Sequence, residues 1–305
     1  MIDARVWIAT VFFVFSGAWV FAQEEEAEEE QATATVPDTE IHLAQLEWDR
    51  GGVDVLEPRN VTNRAGYDSQ PYFLPDSSGF LFASIGDDGQ ADVYSYDLSS
   101  GAVARLTDTP ESEFSPTPMT DGGFSTVRVE MDQAQRLWAF DNDGEARLLL
   151  PGALGVGYHA WVDPETVVMF IVVDPPLLVG TTLGDQTLKK LAGTIGRSLA
   201  SVPIRETASF VDKNDENLWW ISEVDVDSRT ITPLVPTIPG REDYAWAPDG
   251  SLLMASGTEL FRWSGGDEWD QIADLADEVD GEIGRLAVSP DGRWLAFVTT
   301  PVVEQ

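Results

Sequence analysis

The sequence predicts an all-β protein: a six-bladed β-propeller of four-stranded blades whose ring is closed by pairing N-terminal strands with C-terminal ones. Three observations predict it. Short runs of β-branched and aromatic residues alternate with turn chemistry about every eight to twelve residues, the pattern of many antiparallel strands. A Pro-Asp-Gly-like turn returns at a nearly constant period. The last copy of the repeat is incomplete, and the beginning of the folded chain supplies what it lacks.

The turn reads Pro75-Asp76-Ser77-Ser78-Gly79, Thr120-Asp121-Gly122-Gly123, Asp163-Pro164-Glu165, Pro248-Asp249-Gly250 and Pro290-Asp291-Gly292, each followed by an apolar strand such as Phe80-Leu81-Phe82-Ala83. Aligned positions fall at 76, 121, 164, 249 and 291, so the long interval holds two periods and a degenerate copy belongs near 201–210. Proline and glycine sit where a fixed or a positive φ is wanted. A second hairpin follows each turn, read in VYSYDLSSGAVARLT (93–107), LWAFDNDGEARLLL (137–150), LLVGTTLGDQTLKKLAG (177–193), LWWISEVDVDSRTITPL (218–234) and LFRWSGGDEWDQIADL (260–275). Each repeat is therefore two hairpins in series. A sheet of this size cannot bury both faces alone, and units of this length stack radially as propeller blades. Five whole blades are expected at 66–110, 111–152, 153–196, 197–240 and 241–281. The sixth combines the strands from Gly284 onward with the hairpin Ile41–Trp48 and Val53–Glu57. Ile272–Val279 is the best helical stretch, and it is expected to hold an outer strand and a loop instead.

Ahead of the repeats, Val6–Val20 is a continuous apolar run ending at Val20-Phe21-Ala22, short of the ~20 residues that span a bilayer and suited to a cleavable signal peptide over 1–22. Residues 23–39 (QEEEAEEEQATATVPDT) lack aromatics and are expected to form a disordered acidic linker. The propeller occupies 40–305. The chain has no cysteine, so core packing and strand pairing must hold it together without disulfides.

The net charge is −35, of which the linker with Asp38 accounts for seven, and only three lysines occur. Nucleic acid requires a basic footprint and anionic membranes repel such a chain, so neither is an expected partner. No membrane span is expected once the signal is removed.

With no cysteine and only two histidines, His42 and His159, a thiol nucleophile is excluded and zinc of the usual Cys/His kind nearly so. No Gly-x-Ser-x-Gly elbow is present. Asp141-Asn142-Asp143-Gly144-Glu145 has the alternating oxygens of a calcium loop but lacks the distal glutamate, and it aligns with the hairpin turn at Asp97–Gly101. His42 reads as a structural residue of an alternating strand. In a propeller the segments leading into the inner strands converge on one mouth of the axial channel. Here those segments carry Asp68, Gln70, Glu113, Ser115, Tyr158, His159, Arg197, Arg241, Asp243 and Arg285, the candidate ligand- or partner-binding residues. For His159 a structural role is the preferred reading. Carboxylates gathered at such a mouth would suit Ca²⁺ or an acid–base pair. Solvated loop charges are the plainer reading.

The Pro-Asp-Gly turn before an apolar strand, together with a hairpin ending in Leu-Thr, resembles the repeat of TolB-like propellers, most closely in SQPYFLPDSSGFLFAS and DVYSYDLSSGAVARLTDTP. The resemblance covers about residues 40–300. It implies a periplasmic or secreted propeller working mainly through protein contacts. TolB carries an α/β domain ahead of its propeller, where this chain has the acidic segment. The expectation is an exported, monomeric, non-enzymatic module that binds an envelope or secreted protein and needs no cofactor. The alternative is a lactonase- or glycosidase-like hydrolase, or a small-ligand binder, with Ca²⁺ at the channel mouth.

Overall fold

The computed structural model describes residues 38–50, 52–86, 89–120 and 122–302. The expected signal peptide and all but the last two residues of the expected linker lie outside the described residues. The first strands are β1 (Glu40–Trp48) and β2 (Val53–Asn60). Blade 1 follows with β3 (Asp68–Phe73), β4 (Gly79–Ile85), β5 (Ala91–Asp97) and β6 (Val103–Arg105). Blade 2 holds β7 (Ser112–Pro118), β8 (Phe124–Val129), β9 (Gln135–Phe140) and β10 (Ala146–Leu148). Blade 3 holds β11 (Val156–Trp161), β12 (Thr166–Ile171), β13 (Leu177–Thr182) and β14 (Lys189–Gly193). Blade 4 holds β15 (Ile195–Ser201), β16 (Ala208–Asp212), β17 (Trp220–Val224) and β18 (Ile231–Pro236). Blade 5 holds β19 (Tyr244–Trp246), β20 (Leu252–Ser256), β21 (Glu259–Trp263) and β22 (Asp270–Asp274). The chain ends with β23 (Glu282–Val288) and β24 (Trp294–Thr300).

Each whole blade is a four-stranded antiparallel meander, and the sixth has the order β2-β1-β24-β23. All the blades read from the repeat form, but β15 starts at Ile195, two residues ahead of the expected limit at 197, and β23 starts at Glu282 instead of Gly284; the degenerate copy forms the β15–β16 hairpin. The stretch Ile272–Val279 contributes the end of β22 and a loop.

The recurring turns work through their aspartates. Asp76 Oδ1 accepts from Ser78 N at 3.0 Å, Asp249 Oδ1 from Ser251 N at 2.9 Å and Asp291 Oδ1 from Arg293 N at 3.0 Å. Such a side chain stands in for a backbone turn and aims the chain into the next strand.

Alternation along each strand sends side chains to the two neighbouring blades, and a buried apolar cluster fills each of the six interfaces. In β24, Leu295 and Phe297 pack toward blade 5, whereas Ala296 and Val298 pack toward blade 1. In β1, Leu46 serves the first interface and Ile41 and Leu43 the second. The β1–β24 ladder runs from Glu40 opposite Thr299 to Gln45 opposite Trp294. Thr39, last residue of the expected linker, is already buried and bridges Tyr67 at the start of blade 1.

Phe297 is fully buried and stacks on His42 across the closing ladder, with ring centroids 5.3 Å apart. Phe297→Ala is expected to cost about 3–5 kcal/mol of unfolding free energy, as large cavities in a packed core do, measured by urea titration. Deletion of Glu40–Glu57 is expected to abolish cooperative unfolding altogether; a cooperative transition in that variant would refute closure by β1.

Candidate functional site at the channel mouth

The six inner strands β3, β7, β11, β15, β19 and β23 place one repeat position at the centre of the ring. Counted back from the turn, that position holds Gln70, Ser115, Tyr158, Arg197, Asp243 and Arg285. Pairing of the inner strand with its neighbour is irregular at or beside it in five blades, between Ser69 and Tyr72, Phe114 and Thr117, Val156 and Tyr158, Ile195 and Leu199, and Ile283 and Leu286. Irregularities of this kind re-aim a side chain out of the regular alternation. At Gln70 and Ser115 the backbone is left-handed, with φ of 62° and 53°, a conformation costly for residues with a Cβ.

These side chains join across the channel. Arg285 in blade 6 donates from Nη2 to the Tyr158 hydroxyl of the opposite blade 3 at 2.7 Å, with its guanidinium carbon 4.8 Å from the ring centroid. Burial alone would disfavour the charged guanidinium, but Tyr158 and Asp243 outweigh it and hold Arg285 even further above neutrality than usual. Gln70 Oε1 accepts from Ser115 N at 2.6 Å. Arg197 donates to Asp243 Oδ2 at 2.6 Å and to Glu242 Oε1 at 2.9 Å, and Ser198 Oγ donates to Asp243 Oδ1 at 2.9 Å. For Asp243, burial would raise the pKa; Arg197 and Arg285 prevail and hold it below the ordinary carboxylate range.

Glu242 is a knot of its own. It accepts from Arg197 N at 3.1 Å and Nη1, and pairs with Lys213 Nζ at 2.8 Å, while that ammonium lies 3.8 Å from the centroid of the Trp219 ring. Its carboxylate occupies the space where residue 196 would carry a Cβ, with Val211 Cβ 3.0 Å away, so a larger residue there would have to push the carboxylate aside. Arg241 reaches outward to Glu282 Oε2 at 2.8 Å. Between blades 4, 5 and 6 these groups enclose a pocket of about 130 Å³, lined by Arg197, Arg241, Glu242, Asp243, Ile283 and Gly284.

Three candidates lie elsewhere. Asp68 is fully buried and paired with Arg64 at 2.7 Å, and the same guanidinium nitrogen donates to Ser84 Oγ; burial prevails and raises the pKa of Asp68. Glu113 is fully buried as well, held by Thr109 Oγ1 at 2.5 Å and Arg128 Nε at 3.0 Å, and burial again raises its pKa. His159 lies between blades 2 and 3. Trp161 Nε1 donates to Ser125 Oγ at 2.8 Å, Ser125 donates to the Thr117 carbonyl at 3.3 Å, and the 2.7 Å contact to His159 Nε2 is therefore a bond donated by the imidazole. The same arrangement recurs one interface pair further on. Ser209 Oγ accepts from Tyr244 OH and Trp246 Nε1, both at 2.8 Å. His159 thus fills the slot that Tyr244 fills in blade 5.

The carboxylates Asp68, Glu113 and Asp243 do not converge, each being engaged by its own arginine. Among the described residues no group of three or more His, Asp or Glu side chains is placed to hold a metal ion. The Asp141 loop is a hairpin turn, with Asp141 Oδ1 accepting from Asp143 N and Glu145 N, both at 2.9 Å. Sequence reasoning missed Ser198, Lys213 and Glu242. Glu242 sits between two named candidates, but nothing local in the sequence marks Lys213.

The blades and their closed ring define a six-bladed β-propeller. No protein-family model matches the sequence, and no curated protein matches it. Solved structures do match in fold. A protein described as TolB from Agrobacterium tumefaciens has a TM-score of 0.67 at 15% identity, over 88% of this chain and 99% of that one. TolB from Acinetobacter baumannii has a TM-score of 0.55 at 13% identity, and the match covers 85% of this chain but only 63% of that longer one. A gluconolactonase from Xanthomonas campestris gives 0.62 at 11% identity, over 90% and 99% of the two chains, and an oligogalacturonate lyase in complex with manganese gives 0.54 at 13%, over 82% of each. Identities this low establish a shared fold alone.

Two outcomes follow from the geometry. Gly196→Ala should displace the Glu242 carboxylate and lower stability by about 1–3 kcal/mol, the range of overpacking substitutions, read from urea midpoints. Burial pushes the His159 imidazole down to about 3. The unfolded chain protonates that ring below about pH 6.5, whereas the folded ring stays neutral, so acid favours unfolding in this window. From pH 7 to pH 5 the native chain should lose about 2 kcal/mol more than His159→Gln does; equal losses would place the acid sensitivity on other groups.

Proposed function

We propose that this chain is an exported, non-enzymatic propeller that binds a protein partner in the periplasm or cell envelope, and that it does so with the end of the ring where the inner strands begin. One observation carries the reading: the mouth at this end leads to a floor, because Arg285 and Tyr158 meet across the axis, and beside that floor lies an exposed apolar rim. Leu154, Val172 and Val173 are about half exposed. Val172 N donates to the Gly155 carbonyl at 2.7 Å, and its side chain crowds Gly157, next to Tyr158. Three exposed apolar side chains grouped on one blade beside a charged mouth form a patch of the kind that marks a protein-contact surface. The TolB neighbours are consistent with it. Among the described residues no helix is long and apolar enough to cross a membrane.

The mature chain from Gln23, used as bait in the envelope fraction of its source cells, should capture one stoichiometric partner identified by mass spectrometry. Leu154→Glu with Val172→Glu should abolish capture. Ile204→Glu, at an exposed tip on the opposite end, should leave it intact. Capture that survives the rim substitutions would move the site elsewhere. Failure of every bait, together with turnover of lactones or glycosides, would favour the hydrolase reading suggested by the gluconolactonase neighbour.

A further inference from the structure

Exposed apolar side chains are ordinary when scattered and informative when grouped. Each inner strand starts at the mouth, so the loop from a blade's second strand to its third returns to that end, as does the connection from one blade to the next. Blades 2 and 3 have three such segments, 130–134, 149–155 and 172–176. They hold Met131, which is 77% exposed, and Leu154, Val172 and Val173, each about half exposed. The backbone that carries these side chains is fixed. Gln133 N donates to the Glu130 carbonyl at 2.8 Å and Ala134 N to Asp132 Oδ1 at 3.0 Å, a turn with Met131 at its apex. Val172 N and Val173 N donate to the carbonyls of Gly155 and Ile171 at 2.7 and 3.0 Å. Tips held in this way present apolar surface to a partner with little backbone left to order on contact.

Charge says what covers them. The three segments contain Glu130, Asp132 and Asp174, and neither lysine nor arginine. Glu130 is taken up by Arg136 at 3.6 Å and by Trp138 Nε1 at 2.9 Å. Asp132 and Asp174 are exposed, and neither has a cationic partner among the described residues. A second copy of this chain would bring the same carboxylates and a net charge of −35 against this patch, and an anionic membrane would be repelled likewise. Lysine and arginine suit it, because their alkyl stems can cover the valines and Met131 while their heads reach the two carboxylates. We infer that the partner docks on the mouth of blades 2 and 3 with a segment that combines apolar side chains with lysine or arginine. The inference rests on the reading of this mouth as the binding face and adds the chemistry of the partner.

Two synthetic amphipathic peptides, alike in a leucine face and carrying lysine in one and glutamate in the other, are titrated by calorimetry at physiological ionic strength. The mature chain is used with its glutamates at 24–30 replaced by glutamine, so that this run does not compete for the lysine peptide. Saturable binding of the lysine peptide at one site is expected, and none of the glutamate peptide. Asp132→Asn with Asp174→Lys should weaken binding about tenfold or more, as should Met131→Ser with Val173→Ser; asparagine keeps the acceptor that Ala134 N uses. Asp143→Asn with Asp267→Lys, the same charge change in exposed turns at the opposite end, should alter the affinity by no more than about twofold, because salt screens charges that far away. Circular dichroism and urea midpoints establish that each variant is folded. No saturable binding of the lysine peptide, equal binding of the glutamate peptide, or equal weakening by the distant pair overturns the inference. A dimer seen by sedimentation and lost in Met131→Ser with Val173→Ser assigns the patch to a second copy and overturns it too. Capture of a cellular partner that is lost with Leu154→Glu and Val172→Glu but kept with Asp132→Asn and Asp174→Lys overturns cationic docking while leaving the binding face standing. Peptide binding that meets every expectation, beside capture that survives Leu154→Glu and Val172→Glu, upholds the patch as a site for cationic segments while the reading of this mouth as the captured partner's face fails.

Discussion

Each blade presents an apolar face to both of its neighbours, so no blade is buried until the ring is complete, and completion depends on the β1–β24 ladder. The protein has no cysteine with which to fasten its ends covalently. It uses backbone pairing over six residue partners together with two hydrophobic interfaces that meet in one blade. Register is fixed by those interfaces. A slip of one residue would turn Leu295 and Phe297 from blade 5 toward blade 1 and exchange them with the smaller Ala296 and Val298, leaving cavities on one side and clashes on the other. Further contacts fasten the same seam: Trp48 Nε1 donates to the Gly292 carbonyl at 2.6 Å, and Asp291 N donates to Ser77 Oγ at 3.0 Å, tying the last turn to the first blade.

Between the blades, polarity is used sparingly, and two buried serine hydroxyls take part in repeated bonds. Ser125 and Ser209 stand on second strands two blades apart, and each receives a tryptophan N–H and one other donor from the following blade. An unbonded hydroxyl in such a place would be costly; one that donates once and accepts twice specifies how two blades are set against each other. Histidine can replace tyrosine in this slot because the slot asks for a donor at a given distance, not for acidity or basicity. That is also why the imidazole is kept neutral.

The fold was legible because its determinants are local and repeated. The turn aspartates Asp76, Asp249 and Asp291 act on residues two positions away, so their spacing is written directly in the chain, and strand alternation follows from the period-two geometry of a pleated backbone. The channel was legible only as a column of positions. Aligning the repeat selects Gln70, Ser115, Tyr158, Arg197, Asp243 and Arg285, but the bond from Arg285 to Tyr158 spans 127 residues and depends on the six blades being equally spaced around an axis. The burial of Asp68 and Glu113 was not legible. Their partners, Arg64 in a loop and Arg128 in a strand, carry no pattern that distinguishes them from other surface cations. Likewise, the mate of Ser125 becomes visible only when the Ser-to-Trp spacing is seen to recur at Ser209.

Charge distribution follows from the same closure. Drawing six inner strands onto one axis crowds their side chains into a poorly solvated space, where like charges repel and unpaired charges are costly. The column answers with neutral groups on one side, Gln70, Ser115 and Tyr158, and with alternating charge on the other, Arg197, Asp243 and Arg285. Lys213 and Glu242 extend that alternation outward. The molecule around this column is strongly acidic, with a net charge of −35 over the chain, so the paired arginines of the column sit within a negative field.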